Sequence, residues 1–276
     1  MRRRAVLSLL ALVLAGPAPA QTSALERLTQ RDDLFGFEAV GRLDVAQAGY
    51  CTAVLIAPDL VLTAAHCVMD RAGRRYATEL RFRAGLRDGA AVAERGVLRT
   101  VVHPDYDIRA RSTVTRVRHD VALVVLDRAI PAAVAAPFKV AAPSGPRAEV
   151  SVVSYALGRD DALSRQAVCH MQGMVEALFA FDCEVSFGSS GAPVFENGGR
   201  RGRIVSLISS GYRDDGQAVA FGPELPALVG RLKRQLASGE GVFPAEGFDA
   251  RHLSVGDGNR GVFGEGNGTG AKFVRP

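Results

Sequence analysis

The sequence holds no tryptophan, five histidines and four cysteines in 276 residues, and these scarcities narrow its chemistry. No His-Glu-x-x-His occurs, so a helix-borne zinc site with its general base has no ligands. No two cysteines stand at the short C-x-x-C spacing of structural zinc sites, and neither a metal nor any other cofactor is expected. The basic residues are scattered rather than gathered into a patch, which leaves nucleic acid without an electrostatic footprint. After residue 20 no apolar run approaches the roughly 20 residues of a membrane-spanning helix.

What is present begins with a leader pattern. Arg2, Arg3 and Arg4 precede the apolar run 5–15, and Ala18-Pro19-Ala20 supplies small residues for cleavage before Gln21. Residues 1–20 therefore read as a secretory signal peptide. An uncleaved anchor is the alternative, and the run is short for it. Export to the periplasm or the medium is expected, with no membrane association after cleavage. Those three arginines belong to the 34 basic residues set against 29 acidic ones, so the mature balance is about +2, too small to mark a nucleic-acid partner; a monomer is expected. In an oxidising compartment Cys51, Cys67, Cys169 and Cys183 suggest two disulfides. Three connectivities are open; pairing within each sequence-local couple is the expected one, and buried free thiols are the alternative.

Residues 21–35 are polar and irregular, an N-terminal arm or propeptide. From there the chain reads as short strands between turn signals: 51–57, 60–63, a period-2 stretch around Leu80 and Phe82, 96–102, 121–126, 150–155, 191–195 and 204–209. Such spacing argues for an all-β barrel or sandwich. One helix is expected over 223–236, with Leu225, Leu228, Val229, Leu232 and Leu236 on one face and Gly239 past its end. A domain over 36–238 and a glycine-rich, mobile tail over 239–276 complete the reading.

Three segments carry chemistry. Val61-Leu62-Thr63-Ala64-Ala65-His66-Cys67 ends an apolar strand on a histidine. Arg118-His119-Asp120-Val121-Ala122-Leu123 places an aspartate at the head of another, and Gly188-Ser189-Ser190-Gly191-Ala192-Pro193 sets a serine in a tight small-residue turn. A serine hydroxyl becomes a useful nucleophile when an imidazole takes its proton and a carboxylate holds that imidazole in the right tautomer. Glycine at 188 lets the backbone turn the N–H groups of Gly188 and Ser190 towards a developing oxyanion.

Together these segments resemble the histidine, aspartate and serine boxes of the chymotrypsin-like serine peptidases, in that family's chain order. The nearest likeness is to the bacterial V8-like, or glutamyl-endopeptidase-like, branch. The resemblance spans about residues 36–236. It implies two six-stranded antiparallel β-barrels with a C-terminal helix, a protein or peptide substrate, and an acyl-enzyme route. His66 would be general base and acid, Asp120 its orienting carboxylate and Ser190 the nucleophile; a Cys51–Cys67 disulfide is implied as well. Glu184, six positions before Ser190, stands where trypsin-like enzymes keep an acidic residue for Lys or Arg. Ile208, Ser209, Ser210 and Gly211 would flank the substrate pocket.

Two departures matter. Ser189 replaces the aspartate that binds a new N-terminal ammonium in trypsin-like members, so activation by that ion pair is not expected. The stretch 205–211 lacks the histidine of the glutamate-specific branch, so a preference for acidic substrates is not implied either. An α/β-hydrolase is opposed by Ala192, where that motif has glycine, and by the lack of an ordered histidine after the serine. A silent protease-like binding module and an esterase on the same triad stay open. His119, beside Asp120, is expected to point away from the site; His103, His170 and His252 receive no role.

Overall fold

Apolar stretches closed by turn residues become fifteen strands in a computed structural model that describes residues 22–45, 49–69, 80–110, 113–176, 178–197 and 201–244. They run β1 (Leu25–Arg27), β2 (Val40–Val45), β3 (Gly49–Ala57), β4 (Leu60–Thr63), β5 (Leu80–Ala84), β6 (Ala93–Val102) and β7 (Ala122–Leu126) in the first half. The second half holds β8 (Glu149–Ala156), β9 (Arg159–Val175), β10 (Leu178–Phe181), β11 (Pro193–Glu196), β12 (Arg203–Leu207), β13 (Ser210–Asp214), β14 (Gln217–Pro223) and β15 (Val242–Pro244). Helix α1 spans Thr113–Arg118 and α2 spans Leu225–Ser238.

The first sheet is ordered β15-β6-β5-β2-β3-β4-β7, and a further β6–β7 pairing closes β2 to β7 into a six-stranded barrel. Its strands show both burial patterns that sequence can write. β5 alternates, with Leu80, Phe82 and Ala84 inside and Arg81 exposed, whereas β7 is buried at every position. The second sheet, β12-β11-β8-β9-β10-β14-β13 with β1 on β9, is a half-barrel of eight strands rather than a closed set of six. Its extra reach comes from β9, whose 17 residues pair with β8, β10 and β1 in turn. Across the open side, the Ser206 hydroxyl of β12 donates to Pro223 O of β14 at 2.8 Å.

Several boundaries differ from the sequence reading. The arm at 21–35 is not wholly irregular: β1 joins the second sheet, and Leu28 and Leu34 are buried in the core. The helix begins at Leu225, because Pro223 still pairs with Leu178 as the last residue of β14. It buries Leu225, Val229 and Leu232 and ends at Gly239, whose φ of 77° closes it in the left-handed conformation. Beyond it, β15 pairs with β6 and packs Val242 on the barrel, so the chain stays in contact with the core past residue 239. Residues 1–20, expected to be a signal peptide, and the rest of the tail, 245–276, lie outside the described residues. Among the described residues, no helix is long and apolar enough to cross a membrane.

Candidate active site

The buried run of β4 passes through Ala64 into a single 3₁₀ turn, Ala65–Cys67, that carries His66. Ala64 and Ala65 are fully buried, so the turn needs small side chains there. Cys67 is joined to Cys51 of β3, with Cα atoms 6.1 Å apart. Strand, turn and disulfide thus fix the backbone on both sides of the imidazole.

Asp120 precedes β7 and is 2% exposed. Its Oδ1 accepts the His66 backbone N–H at 2.9 Å, and its Oδ2 lies 2.7 Å from His66 Nδ1. The Ser209 hydroxyl also donates to Oδ2. A carboxylate held by these donors keeps the proton on Nδ1 and leaves Nε2 as the basic nitrogen. Burial alone would push the His66 pKa down, and the Arg116 charge adds to that. The charge and hydrogen bond of Asp120 outweigh both, so the net shift is upward.

Ser190 sits in a turn pinned by backbone bonds. Its carbonyl accepts Thr52 N–H at 2.9 Å, and Gly191 N–H donates to Ile208 O at 2.7 Å. Among the described residues, neither Gly188 N–H nor Ser190 N–H has a hydrogen-bond partner. Gly188 has φ of 94°, and a Cβ there would lie 2.4 Å from the Tyr50 ring. Gly191 has φ of 78°, and a Cβ would come within 2.2 Å of Thr63 Oγ1. Both glycines are demanded by backbone conformation and by space. The Ser189 side chain is wholly buried; its Oγ lies 3.2 Å from Ser154 Oγ and accepts Ser186 N–H at 3.3 Å.

Beside Ser190 opens a cavity of about 360 Å³ whose walls include Val185, Ile208, Ser209, Ser210 and Gly211. Ser209 therefore touches both the cavity and, through its hydroxyl, the carboxylate that orients His66.

The sequence matches the trypsin-like peptidase domain over residues 51–205, an interval that contains His66, Asp120 and Ser190. The chain belongs to this family. It is a serine-type peptidase, and peptides are its substrates. Solved structures agree on the fold. A Glu endopeptidase in complex with MPD superposes with a TM-score of 0.64 at 17% identity, over 79% of this chain and 97% of that one. Protease Anisep from Arthrobacter nicotinovorans gives 0.62 at 18%, over 78% and 100%. The thermostable serine protease AL20 from an extremophilic microorganism gives 0.61 at 21%, over 73% and 98%. No curated protein sequence matches the chain.

In this trypsin-like peptidase the residues singled out from sequence do not all meet. Ile208, Ser209, Ser210 and Gly211 line the cavity next to Ser190; Glu184 does not. The Glu184 carboxylate turns outward to Arg213 at 3.4 Å and borders a separate cavity with Gln172 and Asp182. Its backbone N–H is held by Gln166 Oε1 at 2.7 Å, which orients the residue towards that side. The two disulfides form within the local couples, Cys51–Cys67 and Cys169–Cys183. His119 stacks on buried His103, ring centroids 4.9 Å apart and planes 7° from parallel. Asp105 lies with them within ligand range, but stacked rings keep their in-plane lone pairs in two separate planes, which do not meet at one ion.

Thr52 is the residue that sequence reading passed over. Fully buried in β3, its hydroxyl donates to Gly188 O at 2.8 Å and lies 3.3 Å from Tyr155 O, while accepting Tyr155 N–H at 3.0 Å. One side chain thus joins the barrel, strand β8 of the second sheet and the serine turn. The available signal was a single threonine within the otherwise apolar run 51–57.

Proposed function

We propose that this protein is a secreted endopeptidase that cleaves peptide bonds through Ser190, His66 and Asp120 by way of an acyl-enzyme. The observation that carries the reading is the buried Asp120 carboxylate on His66 Nδ1, bonded also by Ser209 from the wall of the cavity that Ser190 lines. In this mechanism His66 Nε2 takes the Ser190 proton as Oγ attacks the scissile carbonyl. The negative charge that develops on the carbonyl oxygen is accepted by the unpartnered N–H groups of Gly188 and Ser190; one such donor is worth roughly 3–4 kcal/mol of barrier in other enzymes. The imidazolium, stabilised by Asp120, then protonates the leaving amine, and water repeats the sequence on the acyl-serine.

The bonding of Ser189 supports a site competent without a newly cleaved N-terminus. Its hydroxyl is satisfied inside the turn by Ser154 and Ser186 N–H, where an aspartate would need an ammonium partner. The leader at residues 1–20 and the two disulfides support export, and the catalytic domain runs from β1 to β15, since both strands pair into the two sheets. Casein hydrolysis and fluorophosphonate labelling of purified residues 21–276, beside Ser190→Ala, test the proposal. Both signals present and both lost in the variant are the expected result. A protein that neither cleaves casein nor takes the label would be a protease-like binding module, and one that turns over esters but no peptide would be an esterase; either refutes the reading.

A further inference from the structure

The cleft beside Ser190 speaks to substrate class, an inference that rests on the peptidase reading above. Among its lining residues none is ionisable. Glu184, the nearest acidic residue in sequence, is paired with Arg213 on the outer side and borders a different cavity. Its walls are neutral: four serines and Gly211, with Val185, Phe187 and Ile208 as the apolar side chains. Ile208 is 1% exposed and belongs, with Val205 and Ala220, to the core of the second sheet, against which Val185 packs. Val185 occupies the space opposite Gly211: a Cβ on Gly211 would meet Val185 Cγ2 at 2.6 Å. One neutral polar group is unused, since Ser210 Oγ is buried without a hydrogen-bond partner among the described residues.

A charged side chain entering such a cleft leaves water and finds no counter-charge, whereas a methylene chain gains contact and a neutral amide or hydroxyl can use Ser210. We propose that the residue on the acyl side of the scissile bond, P1, is uncharged with an aliphatic body, the class of Leu, Met and Gln, and that Val185 enforces this choice. Acidic and basic P1 residues are both rejected, for the same reason. Gln against Glu is the sharpest comparison, because the two are equal in size and differ in charge.

The test is kcat/KM on peptides identical except at P1. Leu and Gln should exceed Glu and Arg by on the order of a hundredfold, and each added aliphatic methylene should bring roughly fourfold until the cleft is full. Val185→Asp should move the Arg-to-Leu ratio upward by at least about tenfold. Fluorophosphonate labelling of Ser190 reports whether that variant is folded; if it is not, Val185→Ala is read instead and should admit Phe at P1. A preference for Glu, Asp, Lys or Arg in the wild type, or a flat profile, overturns the proposal. A labelled Val185→Asp with unchanged selectivity overturns the part assigned to Val185. Absence of all turnover together with absence of labelling overturns the peptidase reading, and this inference falls with it.

Discussion

Replacing Thr52 by valine keeps the shape of the side chain and removes one hydroxyl from the joint between the two sheets. Tyr155 N–H loses its acceptor and Gly188 O loses its donor, both at a side chain with no exposure. A buried polar group left unpaired costs about 1–3 kcal/mol. With partial relaxation the fold should lose about 2–3 kcal/mol, or roughly 5–10 °C in Tm for a domain of this size. The effect on rate has a separate origin. Thr52 holds Gly188 by its carbonyl, and the Gly188 N–H is one of the two donors assigned to the oxyanion. Loss of such a donor outright costs about 100- to 1000-fold in kcat; loosening it should cost about 10- to 100-fold, with KM little changed. Thr52→Ser, which restores the hydroxyl, should recover most of kcat. Steady-state peptide hydrolysis at a temperature well below both melting transitions, with circular dichroism for Tm, separates the two effects. A valine variant with reduced Tm and wild-type kcat would refute the reasoning, because Thr52 would then stabilise the joint without positioning the serine turn.

Other outcomes follow from the same geometry. The His66 pKa is net raised, and catalysis needs its neutral form, so kcat/KM should climb with pH through a value above the ordinary histidine pKa; Arg116→Gln removes a charge that lowers it and should move that limb to higher pH. Ser209→Ala removes a donor to Asp120 and should lower kcat by about tenfold while leaving fluorophosphonate labelling detectable. Burial, then the neighbouring His119 and Arg231, push the pKa of His103 down to about 4. The folded state thus favours neutral His103, and stability should fall as pH drops from the unfolded value of 6.5 towards 4. The loss should total about 3 kcal/mol, and urea titrations of His103→Asn should show a flatter profile. Replacing Cys169 and Cys183 by serine should cost about 2–5 kcal/mol, read by the same titrations, with Ser190 labelling weakened because the bridge ties β9 to the segment leading into the serine turn.

What sequence reveals here divides by the range over which each signal acts. The runs at 51–57, 60–63, 121–126 and 150–155 announce themselves because burial on one or both faces writes hydrophobicity directly into consecutive residues. β9 writes no such pattern. It mixes Arg, Asp, Ser, Gln and His with apolar residues; its middle, Ser164–Gln166, lies between β8 and β1, and its end pairs with β10. β13 is mostly exposed, yet the β13–β14 hairpin carried a local sign. Asp215 and Gly216 both have positive φ, at 45° and 83°, the Asp-Gly signature of a two-residue hairpin turn. α1, at six residues, is too short to show a period.

The site divides in the same way. His66, Asp120 and Ser190 lie in compact boxes whose flanking alanines and glycines answer local steric demands, so the boxes can be recognised one at a time. The roles of Thr52, Ser209 and Val185 exist only where separate elements converge. Thr52 is an ordinary strand residue until β8 and the serine turn close on its hydroxyl. Ser209 counts as a pocket residue by position until its hydroxyl meets Asp120. Glu184 shows the reverse hazard, for it is placed by sequence distance from Ser190, but its carboxylate faces Arg213 on the outer side. A residue's distance from Ser190 along the chain does not determine which side of the loop its side chain leaves from. The cleft lacks an acidic base because Glu184 leaves the loop on the other side, and not because the segment lacks an acidic residue.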